Sequence, residues 1–169
     1  MTRFGYVMTT YFVTLWIGIF TLFHHSPRFI WNVSASVPTG LYALQPVQPL
    51  SVGNLVAVSL PPQLAALAAT RHYLPTGLPL LKHIGALSGE IVCRHGLRVT
   101  IDNAAVASAL AHDHAGRPLP VWQGCHTLKP GEIFLLNPAV PDSFDSRYFG
   151  PLPLASAIGR IAPLWLARR

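Results

Sequence analysis

A serine precedes a proline–glycine turn in the stretch Ser34-Ala35-Ser36-Val37-Pro38-Thr39-Gly40-Leu41-Tyr42. This stretch separates two unlike parts of the chain. An uncharged apolar segment lies before it, and short apolar runs divided by proline and glycine lie after it. Ser36, held before such a turn and close to such a segment, is a candidate nucleophile facing a membrane surface. Two later segments bear on this interpretation: Lys82, in an apolar run, and residues 143–150.

The segment before this stretch has the length and composition of a membrane span. Phe4 to Phe23 is twenty residues without a charge, and about 20 apolar residues cross a bilayer as a helix. Two other interpretations stay open. A cleaved signal sequence would have Val33-Ser34-Ala35 as a distant small-residue site. A buried core helix is the other, although a helix that is apolar all round suits lipid better. We therefore expect an anchor or signal sequence over residues 1–26 and one domain over residues 27–169.

Charge and cysteine content indicate the partners and the compartment. The formal net charge is +6, but the basic residues are scattered singly, which disfavours nucleic acid and favours anionic membrane lipid as a partner. Arg3 precedes the apolar segment and Arg28 follows it, so the positive-inside rule only weakly favours a cytoplasmic N-terminus. Cys93 and Cys125 are the only cysteines. A pair in an exported domain predicts a disulfide, and two unrelated buried thiols are the alternative.

The remainder of the chain has the pattern of a mainly β domain. Valine- and isoleucine-rich runs bounded by turns such as Ser88-Gly89 predict strands, at Gly40–Leu44, Leu55–Leu60, Leu80–Leu87, Glu90–Arg94, Leu97–Ile101, Glu132–Asn137 and Ala157–Ile161. Residues 62–70 are rich in alanine and leucine with a proline at the start, which predicts a short helix. Residues 107–123 read as a surface excursion. We expect a partly open β-barrel with one N-terminal transmembrane helix.

Lys82 is the candidate base for Ser36. A serine hydroxyl is a poor nucleophile until a neighbouring group takes its proton, and the chain has neither a Gly-x-Ser-x-Gly elbow nor a histidine in a recognisable triad context. Of the two lysines, Lys129 lies in a turn, whereas Lys82 lies in the apolar run Leu78–Leu87. Burial there would lower the lysine pKa and favour a neutral amine. The alternative is a packed stem with its ammonium in solvent.

Three ordered segments after the apolar N-terminus carry a resemblance to a known family. They are Ser36-Val37-Pro38-Thr39-Gly40-Leu41-Tyr42, Lys82, and Ser143-Phe144-Asp145-Ser146-Arg147-Tyr148-Phe149-Gly150-Pro151. Together they resemble the type I signal peptidase superfamily of Ser-Lys proteases (peptidase S26), and more narrowly its TraF-type conjugative transfer branch. The resemblance spans nearly the whole chain. It implies a signal peptidase/LexA-like β-barrel fold and a serine endopeptidase.

The resemblance also implies a role for each matching residue. Ser36 resembles the family nucleophile, and Lys82 resembles its general base. Ser34 matches a hydroxyl that helps the Ser36 backbone N–H form an oxyanion hole. Ser143 matches the serine that hydrogen-bonds the lysine and orients it.

Asp145 and Arg147 match a charged pair that supports the site in this family, although an ordinary ion pair fits the same residues. The chain departs from the family at three places. Val37 stands where methionine is usual, His83 stands where arginine is common, and Leu136-Asn137-Pro138 replaces a Gly-Asp-Asn element. These departures fit the conjugative branch better than the housekeeping one and bear on specificity rather than on the chemistry.

The implied protein is a single-pass bacterial inner-membrane enzyme with its catalytic domain in the periplasm. Its expected partners are membrane lipid, an exported or pilin precursor cut beside small residues, and a conjugative type IV secretion apparatus. The acyl-enzyme would be resolved by water or by the N-terminus of the substrate, which would cyclise the product. The alternatives are a general leader peptidase and a non-catalytic anchored scaffold. Metal ligation by His112-Asp113-His114 is disfavoured, because a lone His-x-His in a polar loop is usually solvated; we expect no metal or cofactor.

Overall fold

The structure, a computed structural model, describes residues 2–22, 28–34 and 36–167. Its helices are α1 (Arg3–Leu22), α2 (Pro62–Thr70) and α3 (Ser146–Phe149), and a 3₁₀ turn spans Leu154–Ser156. Its strands are β1 (Phe29–Asn32), β2 (Gly40–Gln45), β3 (Leu55–Val58), β4 (Leu80–Ala86), β5 (Ile91–His95), β6 (Arg98–Ile101), β7 (Ala104–Ser108), β8 (Gly124–Thr127), β9 (Glu132–Leu136), β10 (Leu152–Pro153) and β11 (Ala157–Leu166).

The strands form two antiparallel sheets. The larger is curled into a half-barrel and has the order β1-β2-β11-β3-β4-β9-β10. The smaller has the order β7-β6-β5-β8. The predicted mainly β fold with one N-terminal apolar helix is therefore confirmed.

The central strands of the larger sheet are buried on both faces. Val56 and Ala57 of β3, and Phe134 and Leu135 of β9, are adjacent residues on opposite faces and have almost no exposed surface, and β4 lies between these two strands. The fourth position of β4, His83, is half-buried, whereas the third is enclosed. This position is taken by Lys82, which pairs with Val56 of β3 in the sheet register.

The seven predicted strands and the predicted helix are present, with ends that differ by a few residues. β11 is the largest difference, since it continues from the predicted end at Ile161 to Leu166. Four strands were not predicted: β1, β7, β8 and β10. The predicted excursion over residues 107–123 is wrong at its start, because Ala107 and Ser108 belong to β7 and pair with Val99 and Arg98 of β6.

Helix α1 matches the predicted apolar segment. Arg3–Thr21 is long and apolar enough to cross a membrane, with a mean hydropathy of 1.4, and none of that window is buried. The alternative of a buried core helix is therefore wrong. Met1 and residues 23–26 of the predicted anchor lie outside the described residues.

The predicted disulfide is present in the smaller sheet. Cys93 of β5 and Cys125 of β8 lie directly opposite one another in the sheet register and are bonded through their sulfurs. The alternative of two unrelated thiols is wrong. His95 Nε2 lies 3.7 Å from Cys125 Sγ, so Cys93, His95 and Cys125 lie together. Because the disulfide occupies both sulfurs, these three residues offer no thiolate to a metal.

Candidate active site

Ser36 lies in the loop that joins β1 to β2. Asn32 and Gly40 pair at the base of this hairpin, and the Asn32 side chain holds the loop from within. Its Nδ2 donates to the carbonyls of Ser34, Val37 and Pro38 at 3.0–3.1 Å, while its Oδ1 accepts from the Ser34 N–H at 3.0 Å. The loop conformation therefore depends on Asn32, which the sequence analysis did not identify.

Gly40 is required at the end of this loop by a close backbone approach. A Cβ atom built on Gly40 would lie 2.1 Å from the Trp165 carbonyl oxygen of β11. Side chains are therefore excluded where the strand after the Ser36 loop joins the sheet. Tyr42, two residues further on, donates its hydroxyl to the Pro38 carbonyl at 2.6 Å and ties the strand back to the loop.

The hydroxyls of Ser34 and Ser36 are in contact, with their oxygens 3.2 Å apart. The Ser34 hydroxyl donates to Asn32 Oδ1 at 2.9 Å. Because this bond uses the only hydroxyl proton of Ser34, the Ser36 hydroxyl is the donor in the contact between the two serines. The Ser36 backbone N–H has no partner among residues 2–22, 28–34 and 36–167, so it can donate to an incoming ligand.

Lys82 is buried in the middle of β4 with 1% of its surface exposed. Its Nζ donates to Ser143 Oγ at 2.7 Å. Burial lowers the pKa of Lys82 from 10.5 to about 8; Asp145 opposes this shift, Arg147 reinforces it, and Asp142 opposes it more weakly. The alternative in which the ammonium reaches solvent is therefore wrong. A pKa near neutrality makes Lys82 a usable proton acceptor.

Asp145 and Arg147 form a fully enclosed ion pair. Arg147 Nε and Nη2 each lie 2.9 Å from an Asp145 carboxylate oxygen. Arg147 also donates to five backbone carbonyls, those of Ser108, Asn137, Val140, Pro141 and Ser143. These bonds fix the loop between β9 and α3, and that loop carries Ser143, the partner of Lys82.

Ser36, Ser34, Lys82 and Ser143 all line one cleft of about 940 Å³. No hydrogen bond joins Lys82 Nζ to Ser36 Oγ within the part of the chain that the structure describes. Most of the remaining wall is apolar and comes from β1, β4, the segment after α2 and the loop between β9 and α3, including Trp31, Leu74, Leu78, Leu81 and Phe144. The cleft is thus lined mainly by apolar side chains, together with the hydroxyls of Ser34, Ser36 and Ser143 and the amine of Lys82.

Part of the cleft wall is held by ion pairs and hydrogen bonds. Asp113 accepts from the Tyr73 hydroxyl at 2.5 Å and from Arg117 Nε at 2.7 Å, and these contacts, led by the Tyr73 bond, lower the pKa of Asp113. His114 Nε2 lies 2.7 Å from Asp142 Oδ2, beside Ser143. Asp113 and His114 of the His-Asp-His segment are therefore engaged in side-chain contacts at the cleft.

The chain is similar to known proteins over most of its length. The family described as "Signal peptidase, peptidase S26" matches residues 1–165. A probable conjugal transfer protein TraF of Sinorhizobium fredii is 37% identical over 139 residues, covering 76% of this chain and 72% of that protein. The conjugal transfer protein TraF of Agrobacterium fabrum is 35% identical over 145 residues, covering 79% and 80%.

A plasmid transfer protein TraF of Escherichia coli is 33% identical over 132 residues, covering 72% of this chain and 73% of that protein. Among solved structures, a signal peptidase I from Enterococcus faecalis aligns with a TM-score of 0.39 at 19% identity, covering 69% of this chain and 99% of that one. On the family match and the three relatives, the chain belongs to the signal peptidase family, peptidase S26.

Proposed function

We propose that this chain is a membrane-anchored serine endopeptidase in which Ser36 is the nucleophile and Lys82 the general base. The observation that carries the proposal is the burial of Lys82 in the cleft that Ser36 also lines. With a pKa of about 8, about a tenth of Lys82 is neutral at pH 7 and about nine tenths at pH 9. A usable fraction of Lys82 is therefore neutral at physiological pH.

The reaction begins when the Ser36 hydroxyl turns from Ser34 towards Lys82. Lys82 Nζ takes the proton as Ser36 Oγ attacks the scissile carbonyl. The negative charge that develops on the carbonyl oxygen is stabilised by the Ser36 backbone N–H and by the Ser34 hydroxyl, which turns from Asn32 Oδ1 to donate to it. Lys82 then returns the proton to the leaving amine, and an acyl-enzyme on Ser36 remains. Ser143 holds Nζ in line throughout by its 2.7 Å bond.

The second half-reaction resolves the acyl-enzyme. Water, deprotonated by Lys82, attacks the ester carbonyl, so that the carboxylic acid product is released and Ser36 regains its proton. If the α-amino group of the substrate attacks instead, a peptide bond closes the product into a ring. Both routes use the same base, and they differ only in which nucleophile reaches the ester.

The substrate is proposed to be the precursor of a conjugative pilin. The relatives are named as conjugal or plasmid transfer proteins, and the long apolar cleft suits an extended peptide with small residues at the cut. We further propose that residues 1–26 anchor the enzyme in the bacterial inner membrane. Residues 27–169 then form the peptidase domain in the periplasm, where the Cys93–Cys125 disulfide is stable and the secretion apparatus is accessible.

Co-expression of the full chain with the pilin precursor of its transfer system tests this function. Ser36→Ala, Lys82→Ala and Lys82→Arg should each abolish processing, the last because a guanidinium keeps its proton at working pH. Ser51→Ala and Lys129→Ala change exposed residues outside the cleft and are the matched controls.

The product separates the proposal from its two rivals. A cyclic pilin supports the conjugative role, whereas removal of leaders from many unrelated precursors without cyclisation identifies a general signal peptidase. Normal pilus assembly in the Ser36→Ala and Lys82→Ala strains, with normal protein levels, would identify a scaffold and contradict the enzyme.

A further inference from the structure

Ser36 and Lys82 lie on elements that are not neighbours in the sheet. Ser36 precedes β2 and Lys82 is in β4, and β11 and β3 lie between these two strands. The pairing of strands therefore does not by itself set the position of the β1–β2 loop relative to β4. A direct connection is needed if the nucleophile and the base are to keep their separation.

Asn137 makes this connection. It follows β9, is 2% exposed, and donates from Nδ2 to the Ser36 carbonyl oxygen at 2.6 Å. Its Oδ1 accepts from the His83 N–H at 3.1 Å, and His83 is the residue after Lys82. One side-chain amide thus bridges the backbone of the nucleophile to the backbone beside the base.

The orientation of this amide follows from its backbone partners. The Ser36 carbonyl can only accept and the His83 N–H can only donate, so the amide nitrogen must face Ser36 and the amide oxygen must face His83. His83 Nδ1 also lies 2.9 Å from Asn137 Oδ1 and must therefore carry a proton. Three hydrogen bonds hold the bridge.

The bridge is itself fixed by the buried ion pair. The Asn137 N–H donates to Asp145 Oδ2 at 3.0 Å, and the Asn137 carbonyl accepts from Arg147 Nη2 at 3.3 Å. Ser143, on the same loop, accepts from Lys82. The segment from 137 to 147 therefore contacts both members of the dyad, the base through Ser143 and the nucleophile through Asn137.

We propose that Asn137 is a positioning residue that holds Ser36 at its working distance from Lys82. This inference rests on the proposed Ser-Lys mechanism. Loss of the amide should move Ser36 but leave Lys82 buried and bonded to Ser143. A displacement of about 1 Å of a reacting group can cost about 100-fold in rate, so we expect a loss of that order in kcat with KM unchanged.

The test uses the full chain in detergent and an internally quenched peptide with alanine on both sides of the scissile bond. Asn137→Ala removes the whole bridge. Asn137→Leu also removes the three hydrogen bonds, and it keeps the side-chain volume without adding a charge if the alanine variant does not fold. Asn54→Ala is the control, because Asn54 holds a turn by accepting from the Ser51 N–H outside the cleft.

The pH profile separates positioning from a general loosening of the site. If Asn137 positions Ser36, both variants lose about 100-fold in kcat. The pH at which kcat/KM rises on the acidic side of the profile is then the same as in the wild type. An unchanged kcat overturns the inference. The inference is also overturned if kcat falls, KM rises and the acidic side of the kcat/KM profile moves to higher pH. Those changes together would mean that Lys82 has become solvated. Wild-type activity that survives Ser36→Ala contradicts the proposed function instead.

Discussion

Replacement of Lys82 by methionine tests the buried amine independently of activity. Methionine has a similar length, is apolar, and removes the only titratable group on this side chain. The difference in free energy of unfolding between wild type and Lys82→Met should depend on pH, because the wild type alone carries the titration of this amine. Every other titrating group is common to both proteins and cancels in the difference.

The magnitude follows from the two pKa values of Lys82. The folded value is about 8 and the ordinary value is 10.5. Below pH 8 the amine is protonated in both states, and its burial then costs the folded protein about 3 kcal/mol. Between pH 8 and 10.5 the unfolded chain binds a proton that the folded protein does not, so the stability of the wild type rises with pH. Relative to Lys82→Met, the wild type should gain about 2 to 3 kcal/mol from pH 7 to pH 10.

Urea unfolding of the detergent-solubilised full chain, followed by tryptophan fluorescence at each pH, measures this difference. Lys129→Met is the matched control, because it removes an exposed lysine in a turn, and its difference from wild type should stay flat. A flat difference for Lys82→Met as well would refute the reasoning, since Lys82 would then have the same proton affinity in both states. A difference that falls with pH would refute it more strongly, because the charged form would be the one favoured by folding.

Three further predictions concern activity, the ion pair and the disulfide. Peptide cleavage measured as kcat/KM should rise with pH through about 8, the pKa of Lys82, because only the neutral amine accepts the proton; a profile flat from pH 6 to 9 would argue against this mechanism. Arg147→Met should cost about 3 to 5 kcal/mol in urea unfolding, because it leaves Asp145 buried and unpaired, and a cost near zero would contradict the enclosed pair. The double change Cys93→Ser with Cys125→Ser should cost about 3 to 4 kcal/mol, since the disulfide joins residues 32 apart in sequence. The reduced wild type should then unfold like the double variant, and an unchanged midpoint after reduction would contradict this.

The parts of the fold that depend on local pattern could be predicted from the sequence. β3, β4 and β9 are valine-, isoleucine- and leucine-rich runs, and their burial gives the continuous apolar pattern that predicts these strands. β7 and β8 were missed because Ala104–Ser108 and Gly124–Thr127 contain few residues with high strand propensity. Their pairing with β6 and β5 supplies the hydrogen bonds that local preference does not.

In the site, too, features that depend on neighbouring residues could be predicted, and features that depend on distant residues could not. The burial of Lys82 followed from its apolar neighbours, and the structure agrees. Asn137 was noted only as a departure from a family element, since its partners Ser36 and His83 lie 101 and 54 residues away in sequence. The role of Asn32 could not be predicted from its neighbours either. Its side chain donates hydrogen bonds to carbonyls of a loop whose conformation cannot be inferred from the sequence. Polar side chains that act on distant backbone groups require the tertiary structure.

The ion pair between Asp145 and Arg147 organises the site without setting the charge of Lys82. A lone carboxylate at the position of Asp145 would raise the pKa of Lys82 and favour the ammonium, which cannot accept a proton. Arg147 acts on the same pKa in the opposite direction, because its guanidinium is held against that carboxylate at 2.9 Å. The two charges offset one another at Lys82, so burial remains the main cause of the low pKa. A buried ion pair contributes little net stability, but here its hydrogen bonds hold Ser143 and Asn137 while the Lys82 amine can still lose its proton.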